Sequence, residues 1–177
     1  MDSINQNQPE ENYKALQGAE AREKIKELCE GKSCFFCTAI QSGSQFPTRP
    51  MSVQKIDDDG VLWFLSANDS HKNAEIARDP KVQLLFQGSS YSDFVTLYGM
   101  ATITEDKMVI KELWEPILKT WFTEGIDDPR ITAIGVKPAD GYYWDNKHGN
   151  VVAFAKQIAG AIMGKTLDDS IEGDLAV

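Results

Sequence analysis

An apolar segment that runs directly into a capped helix start is the feature that most constrains how this chain folds. Residues 61–66 are rich in β-branched and aromatic side chains, which predicts a short strand buried on both faces. Asn68, Asp69 and Ser70 then supply capping side chains for a helix that ends before Pro80. The pattern predicts a strand that delivers the chain straight into the N-terminus of a helix.

Two cationic side chains stand in the first turn of that predicted helix. A helix start has backbone N–H groups without partners and carries partial positive charge, so it favours a bound anion. His71 and Lys72 oppose the helix dipole there unless an anion lies between them. The segment therefore indicates either a phosphate site or an ordinary capped surface helix with Lys72 in solvent.

A second strand is predicted at 49–56, before an acidic turn that ends at Gly60. A connection of that length makes the strands 49–56 and 61–66 antiparallel neighbours, which brings Arg49 towards Lys72. Arginine suits bidentate contacts to phosphate or to the edge of a ring. The alternative for Arg49 is a surface arginine paired with one of the many acids.

Short strands dominate the rest of the chain. They are predicted at 33–41, 82–87, 93–104, 131–138 and 141–145, and 95–104 alternates with a period of two. Helices are predicted at 13–30, at 106–122 with an interruption at Pro116, and at 150–164. This order favours a mainly β (α+β) fold, a closed or partly closed antiparallel barrel with flanking helices.

The three cysteines suggest more chemistry than their spacing supports. Cys34 and Cys37 have a CxxC spacing, and Cys29 lies nearby, so redox exchange and a zinc site are both conceivable. In a strand, however, residues three apart point to opposite faces and cannot share a bond or a metal. We expect free thiols, which fit a reducing compartment, and no metal site.

Aromatic residues at 114, 121 and 122 leave two interpretations open. Trp114, Trp121 and Phe122 are spaced as on one helix, and core or dimer packing is the default for such a set. A lid over a ligand is the alternative.

The charge of the chain bears on its partners. Its formal net charge is −9, which argues against nucleic acid or an anionic membrane face as the main partner. No stretch is long and apolar enough to span a bilayer, and residues 1–11 are not signal-like, so we expect a cytoplasmic protein.

Several motifs, in their order along the chain, resemble those of the flavin-binding split barrels related to pyridoxamine 5'-phosphate oxidase. In the first half they are Arg49-Pro50-Met51-Ser52, Trp63-Phe64-Leu65-Ser66, Ser70-His71-Lys72 and a strand over 82–86. In the second half the chain resembles the general stress protein branch, through Leu113-Trp114-Glu115-Pro116, Trp121-Phe122, Gly125-Ile126-Asp127-Asp128-Pro129 and Tyr142-Tyr143-Trp144-Asp145. The resemblance covers about residues 20–146.

The resemblance implies an antiparallel split β-barrel, homodimeric, with two flavin mononucleotide (FMN) sites at the subunit interface and flavin adenine dinucleotide (FAD) as the alternative cofactor. In this family the arginine strand contacts the flavin, and the helix start holds its phosphate. The cofactor-binding residues implied here are Arg49, Met51 and Ser52, with Pro50 between them, at the ring and ribityl chain; Leu65 and Ser66 at the ring and phosphate side; His71 and Lys72 at the phosphate; and Trp144 against the flavin. The implied organisation is a disordered lead over 1–12, one FMN-binding domain over 13–164 and an acidic tail over 165–177.

The implied function is that of an FMN-binding protein of the general stress type, a flavin-dependent oxidoreductase whose substrate the sequence does not name. The oxidase itself usually has arginine where His71 stands, and glutamine near the position of Phe94. These departures keep two alternatives open: a non-catalytic flavin-binding or flavin-sensing stress protein, and a structural dimer with an empty site.

Overall fold

The computed structural model describes residues 12–40, 45–89, 92–147 and 169–177. Within those ranges the chain forms nine strands: β1 Leu16–Gln17, β2 Ser33–Cys37, β3 Thr48–Ser52, β4 Lys55–Ile56, β5 Leu62–Ala67, β6 Lys81–Gln87, β7 Phe94–Thr104, β8 Ile131–Asn146 and β9 Ser170–Ala176. The helices there are α1 Ala19–Cys29, α2 His71–Arg78 and α3 Lys107–Leu113, followed by two short 3-10 helices, Pro116–Thr120 and Gly125–Asp127. The fold is mainly β, as the sequence predicts.

One mixed sheet holds the strands together. Its path of hydrogen-bonded neighbours is β1-β9-β8-β7-β6-β2-β3, and β5 pairs with both β4 and β8. The pairs are antiparallel except for β1 with β9, which is parallel, and the path is open in the part of the chain that is described. The long strand β8 organises the sheet, because its first half pairs with β5 and its second half with β9.

Two apolar clusters fill the fold. The larger lies inside the curved sheet and under α1, where Phe36 and Phe64 meet edge to face with ring centroids 5.2 Å apart. The smaller packs α3 and the first 3-10 helix against the outer side of β5 and β8; its buried members are Leu65, Ile110, Leu113, Leu118, Phe122, Ile131 and Ala133. The second cluster therefore fixes the chain after α3 beside the end of β5.

The predicted hairpin between 49–56 and 61–66 is only partly correct. β3 pairs with β2, where Arg49 lies opposite Phe36, and only the two residues of β4 pair with β5. Val53 and Gln54 separate β3 from β4, and the Gln54 N–H still donates to the Trp63 carbonyl. The turn itself is as expected, since the Asp57 carboxylate accepts from the N–H of Val61 and from the Trp63 indole.

Other predicted elements have different limits. The predicted helix 13–30 begins only at Ala19, because Leu16–Gln17 pairs with β9. The predicted strands 131–138 and 141–145 are one continuous strand, β8, with a register shift opposite Tyr98 and Gly99. The interruption of the helix at Pro116 is confirmed, since α3 ends at Leu113 and a 3-10 helix starts at Pro116.

The C-terminal residues depart most from expectation. The acidic tail predicted from residue 165 includes a strand, Ser170–Ala176, which lies between β8 and β1. The predicted lead at 1–12, all but its last residue, and the predicted helix at 150–164 lie outside the described residues.

The three cysteines are buried and unbridged. The Thr48 hydroxyl donates to the sulfur of Cys37, and burial raises the pKa of the Cys34 thiol to about 12. Among the described residues, no group of three or more His, Cys, Asp or Glu side chains is arranged to hold a metal. No helix within those ranges is long and apolar enough to cross a bilayer.

Candidate functional site

A cleft of about 610 Å³ opens where β3, β5, the start of α2 and the first 3-10 helix meet. Its volume falls within the range of about 300–1,000 Å³ that is usual for small-molecule sites. The residues that line it are Ser33, Pro50, Met51, Ser52, Gln54, Leu65, Ser66, Ala67, Ser70, Lys72, Leu118, Trp121 and Phe122. Six of them belong to the cofactor-binding set implied by the sequence.

Ser70 forms the cap that the sequence predicts. Its hydroxyl oxygen accepts from the N–H of Asn73 at 3.2 Å, and its own N–H donates to the Ala67 carbonyl at 3.0 Å. These bonds turn the chain from the end of β5 directly into α2. The N–H groups of His71 and Lys72, which follow the cap, have no hydrogen-bond acceptor among the described residues.

A buried amide ties this helix start to the sheet. The Asn73 side chain is only 4% exposed, and its Nδ2 donates to the Thr132 hydroxyl at 2.8 Å. Its Oδ1 accepts from the hydroxyls of Ser66 at 2.7 Å and Ser70 at 3.1 Å. The two hydroxyls, whose oxygens are also 3.2 Å apart, thus form one network with the buried amide at the helix start.

Lys72 is the one lysine of the cleft lining, and it is only 7% exposed. Its ammonium group makes no hydrogen bond or ion pair with any described residue. Burial, followed by the charge of Arg49, lowers the pKa of Lys72 to about 8, although the charge of Glu75 raises it. Its nitrogen keeps contact with the solvent of the cleft, since Lys72 Nζ is not among the fully buried unpartnered atoms of the described residues. An anion in the cleft would give this partly desolvated charge a partner.

Arg49 is the cation whose charge acts on Lys72, but it already has an acidic partner. Its Nη1 donates to the Glu75 carboxylate at 2.8 Å and to the Thr38 hydroxyl at 2.9 Å. Burial raises the pKa of Glu75, and the hydrogen bonds from Arg49 and Thr38 then lower it below its ordinary value. Glu75 therefore stays charged, and only Nη1 of Arg49 is engaged, which leaves its Nε and Nη2 without a partner among the described residues.

Part of the cleft lining is an apolar wall. Leu65, Leu118 and Phe122 are buried in the smaller cluster and present their edges to the cleft. Trp121 also lines it, yet is 64% exposed. A ligand with an anionic end and a flat apolar body would match Lys72 and this apolar wall.

The structure brings most of the implied cofactor-binding residues together. Pro50, Met51 and Ser52 from β3, Leu65 and Ser66 from β5, and Lys72 from α2 all line the cleft. Arg49 lies behind them in the ion pair with Glu75.

Two implied residues lie elsewhere in this chain. His71 is exposed at the helix start and does not line the cleft. Trp144 is near the far end of β8, where its ring lies 4.7 Å from the ring of Tyr142. The single chain therefore does not place Trp144 at the cleft.

Sequence reasoning missed part of the lining. Ser33 faces the cleft because β2 pairs with β3 and sets Ser33 opposite Ser52, with their hydroxyls 3.0 Å apart. The pairing of β2 with β3 is not predicted, because the sequence assigns 61–66 as the partner of the strand 49–56. The three neighbouring aromatics also separate: Phe122 is buried, Trp114 is half-buried and packs on Phe122, and Trp121 faces out.

A comparison with protein families matches residues 20–168 to the family described as pyridoxamine 5'-phosphate oxidase like. Among curated proteins, protein bli-3 of Neurospora crassa is 27% identical over 127 residues, covering 67% of this chain and 61% of that protein. This chain thus spans about three fifths of the length of that relative.

Solved structures share the fold. A candidate general stress protein 26 from Jannaschia sp. CCS1 has a TM-score of 0.75 at 21% identity, over 90% of this chain and 100% of that one. General Stress Protein 26 from Bacillus anthracis str. Sterne has a TM-score of 0.58 at 23% identity, over 69% of this chain and 92% of that one. The general stress FMN/FAD binding protein from Xanthomonas citri has a TM-score of 0.56 at 20% identity, over 67% of this chain and 82% of that one.

The matched family region includes every segment that builds the cleft, from Ser33 in β2 to Phe122 after the first 3-10 helix. The resemblance predicted from the sequence motifs is confirmed, and this chain belongs to the pyridoxamine 5'-phosphate oxidase-like family.

Proposed function

We propose that this protein binds a flavin in the cleft, with FMN as the preferred form. The observation that carries the proposal is Lys72, a cation whose side chain is largely buried, which lines the cleft and makes no ion pair with any described residue. The name of the Xanthomonas citri structure, a general stress FMN/FAD binding protein, supports a flavin as the ligand class.

The residues of the cleft fit the two ends of such a ligand. A phosphate next to Lys72 would meet the ammonium group and the N–H groups of His71 and Lys72, and charge-assisted hydrogen bonds of this kind are among the strongest in proteins. The ring would lie along the apolar wall, close to Met51 of β3 and Leu65 of β5. The free donors of Arg49 would add positive charge at the same end.

The phosphate requirement can be tested with two ligands that share the same ring. Titration of the purified protein with FMN should show saturable binding, and riboflavin, which lacks the phosphate, should bind about 10 to 100 times more weakly, the value of one charge-assisted contact. Equal affinity for both would contradict a phosphate site at Lys72. Absence of binding by either would overturn the flavin proposal, and FAD as a third ligand tests the dinucleotide alternative.

A second copy of the chain completes the proposed site. The outer face of the sheet carries a cross-strand row of Pro50, Phe35, Leu85, Thr96 and Tyr142, which is apolar apart from the Thr96 and Tyr142 hydroxyls. Phe35 is 57% exposed, and Pro50 also lines the cleft, so this face continues into the site.

Exposed aromatic faces of this kind mark protein interfaces, and a homodimer would let Trp144 of one copy approach the cleft of the other. Sedimentation equilibrium should give twice the chain mass at micromolar concentration. A monomer that still binds FMN would contradict this part of the proposal.

The proposed activity is that of a flavin-dependent oxidoreductase. Among the residues that the structure describes, Lys72 is the only ionisable side chain that lines the cleft, so this part of the protein offers little acid–base chemistry of its own. When bound, a flavin supplies the electron transfer, and the protein supplies position and electrostatics. Reduction of the bound flavin by NADH or NADPH would support turnover, whereas tight binding without reduction by either would favour the non-catalytic flavin-binding alternative.

A further inference from the structure

Trp121 is held at the cleft in an exposed position that packing within the chain does not explain. It is 64% exposed, although its two anchoring neighbours, Leu118 and Phe122, are buried in the smaller apolar cluster. Tryptophan has a large apolar surface, and leaving most of it in water forgoes a burial that is ordinarily favourable. A ring in this position therefore has unused contact surface facing the cleft.

The backbone fixes where this ring stands. The N–H groups of Trp121 and Phe122 both donate to the Leu118 carbonyl at 3.0 Å. Phe122 packs inward, with its ring centroid 6.3 Å from that of Trp114. Phe122 is thus anchored in the smaller cluster, and the ring of the preceding residue, Trp121, protrudes from this fixed support.

The position of Trp121 indicates which part of a bound ligand it would contact. Lys72 at the start of α2 and Trp121, together with Leu118 and Phe122, line the same cleft from separate segments of the chain. A ligand whose phosphate reaches Lys72 must place its remaining body towards the apolar wall. A flat heteroaromatic ring is the body that an exposed indole contacts most favourably, by stacking.

We propose that Trp121 is a ring-binding residue, which stacks on the flavin ring system and sets the specificity of the cleft for planar heteroaromatic ligands. This inference rests on the proposed flavin function. It assigns the two ends of the ligand to separate residues: Lys72 recognises the phosphate, and Trp121 recognises the ring.

The test compares two variants with two ligands by isothermal titration calorimetry. Trp121→Ala should weaken FMN and riboflavin by the same factor, about tenfold, which is about 1.4 kcal/mol. Lys72→Met should weaken FMN and leave riboflavin unchanged. Ile117→Ala is the matched control, because Ile117 lies on the same segment, is also 64% exposed and does not line the cleft.

A spectroscopic readout separates ring contact from a structural role. Tryptophan in van der Waals contact quenches an excited flavin by electron transfer, whereas phenylalanine does not. Trp121→Phe should therefore retain most of the affinity for FMN and lengthen the fluorescence lifetime of the bound flavin.

The other outcomes are distinct from one another. If the unmodified protein binds FMN and Trp121→Ala binds both ligands as tightly, the ring assignment is wrong and the flavin proposal stands. If the unmodified protein binds neither ligand, both proposals fail. If Trp121→Ala loses affinity together with a halving of the sedimentation mass, Trp121 is a subunit contact, and the ring assignment is overturned.

Discussion

Replacement of Lys72 by methionine is expected to stabilise the ligand-free protein and to remove phosphate-dependent flavin binding. Methionine keeps most of the length and apolar stem of lysine, but it brings no charge into the buried position. The shift of the Lys72 pKa from 10.5 to about 8 corresponds to about 3 kcal/mol at 1.36 kcal/mol per pKa unit. We expect Lys72→Met to raise the free energy of unfolding at pH 7 by about 1–3 kcal/mol, because methionine avoids this cost.

The size of this effect changes with pH in a defined way. The folded-state pKa of Lys72 lies below the unfolded-state value, so the unfolded chain holds more protons between pH 8 and 10.5. The penalty is fully present below pH 8 and disappears as the pH rises towards 10.5. Urea unfolding at pH 7 and at pH 9.5 should therefore show the advantage of Lys72→Met shrinking at the higher pH.

Lys81→Met is the matched control, because Lys81 is exposed at the start of β6. Its stability should change by less than about 0.5 kcal/mol, and FMN binding should remain as in the unmodified protein. A Lys72→Met protein that is less stable than the unmodified one at pH 7 would show that the ammonium group has a partner in the free protein.

Replacement of Asn73 by alanine is expected to damage both stability and the site. The change removes the acceptor of the Ser66 hydroxyl and the donor to the Thr132 hydroxyl, all within buried surroundings. Buried polar groups left without partners cost about 1–3 kcal/mol, so we expect the free energy of unfolding to fall by about 2–4 kcal/mol once the lost packing is included. FMN affinity should fall as well, because the amide fixes the helix start that carries Lys72.

Asn68→Ala provides the comparison for this measurement. Asn68 lies just before the same helix but is exposed, and its amide makes one long bond, 3.4 Å, to the Pro129 carbonyl. Urea unfolding should place its effect within about 0.5 kcal/mol of zero. If Asn73→Ala unfolds at the same urea concentration as Asn68→Ala, the buried network does not hold the helix start.

Local signals in the sequence predict the helix start beside the cleft well. The capping role of Ser70 and the position of Lys72 in the first turn follow from neighbours within four residues, and the structure shows both. The interruption at Pro116 is equally local, since the ring of proline removes a helix donor.

Non-local pairing is where prediction from the sequence is weakest. The strand in the acidic tail alternates Ile171, Gly173 and Leu175 with two acids and Ala176, but a seven-residue segment with a central glycine and two acids does not predict a strand until β8 provides a partner. The predicted hairpin is incomplete for the same reason. The partner of β3 is β2, and no turn signal in the sequence tells that β3 pairs with β2 rather than with β5.

The apolar wall of the cleft shows a third limit. Trp114, Trp121 and Phe122 are spaced in the sequence as if on one helix, but in the structure they are half-buried, exposed and buried, respectively. The segment between Trp114 and Trp121 is one short 3-10 helix, Pro116–Thr120, rather than a continuation of α3, so an α-helical period does not tell which ring faces out.

The central claim is that Lys72 lacks an anionic partner until a phosphate enters the cleft, and direct titration of its amine tests this most closely. With 13C-labelled lysine, the Cε signal that is missing in Lys72→Met identifies the residue by NMR. The predicted pKa is about 8 in the free protein, rising by about one unit or more with FMN and unchanged with riboflavin. An ordinary pKa near 10.4 in the free protein, or a value that FMN does not move, would contradict the claim.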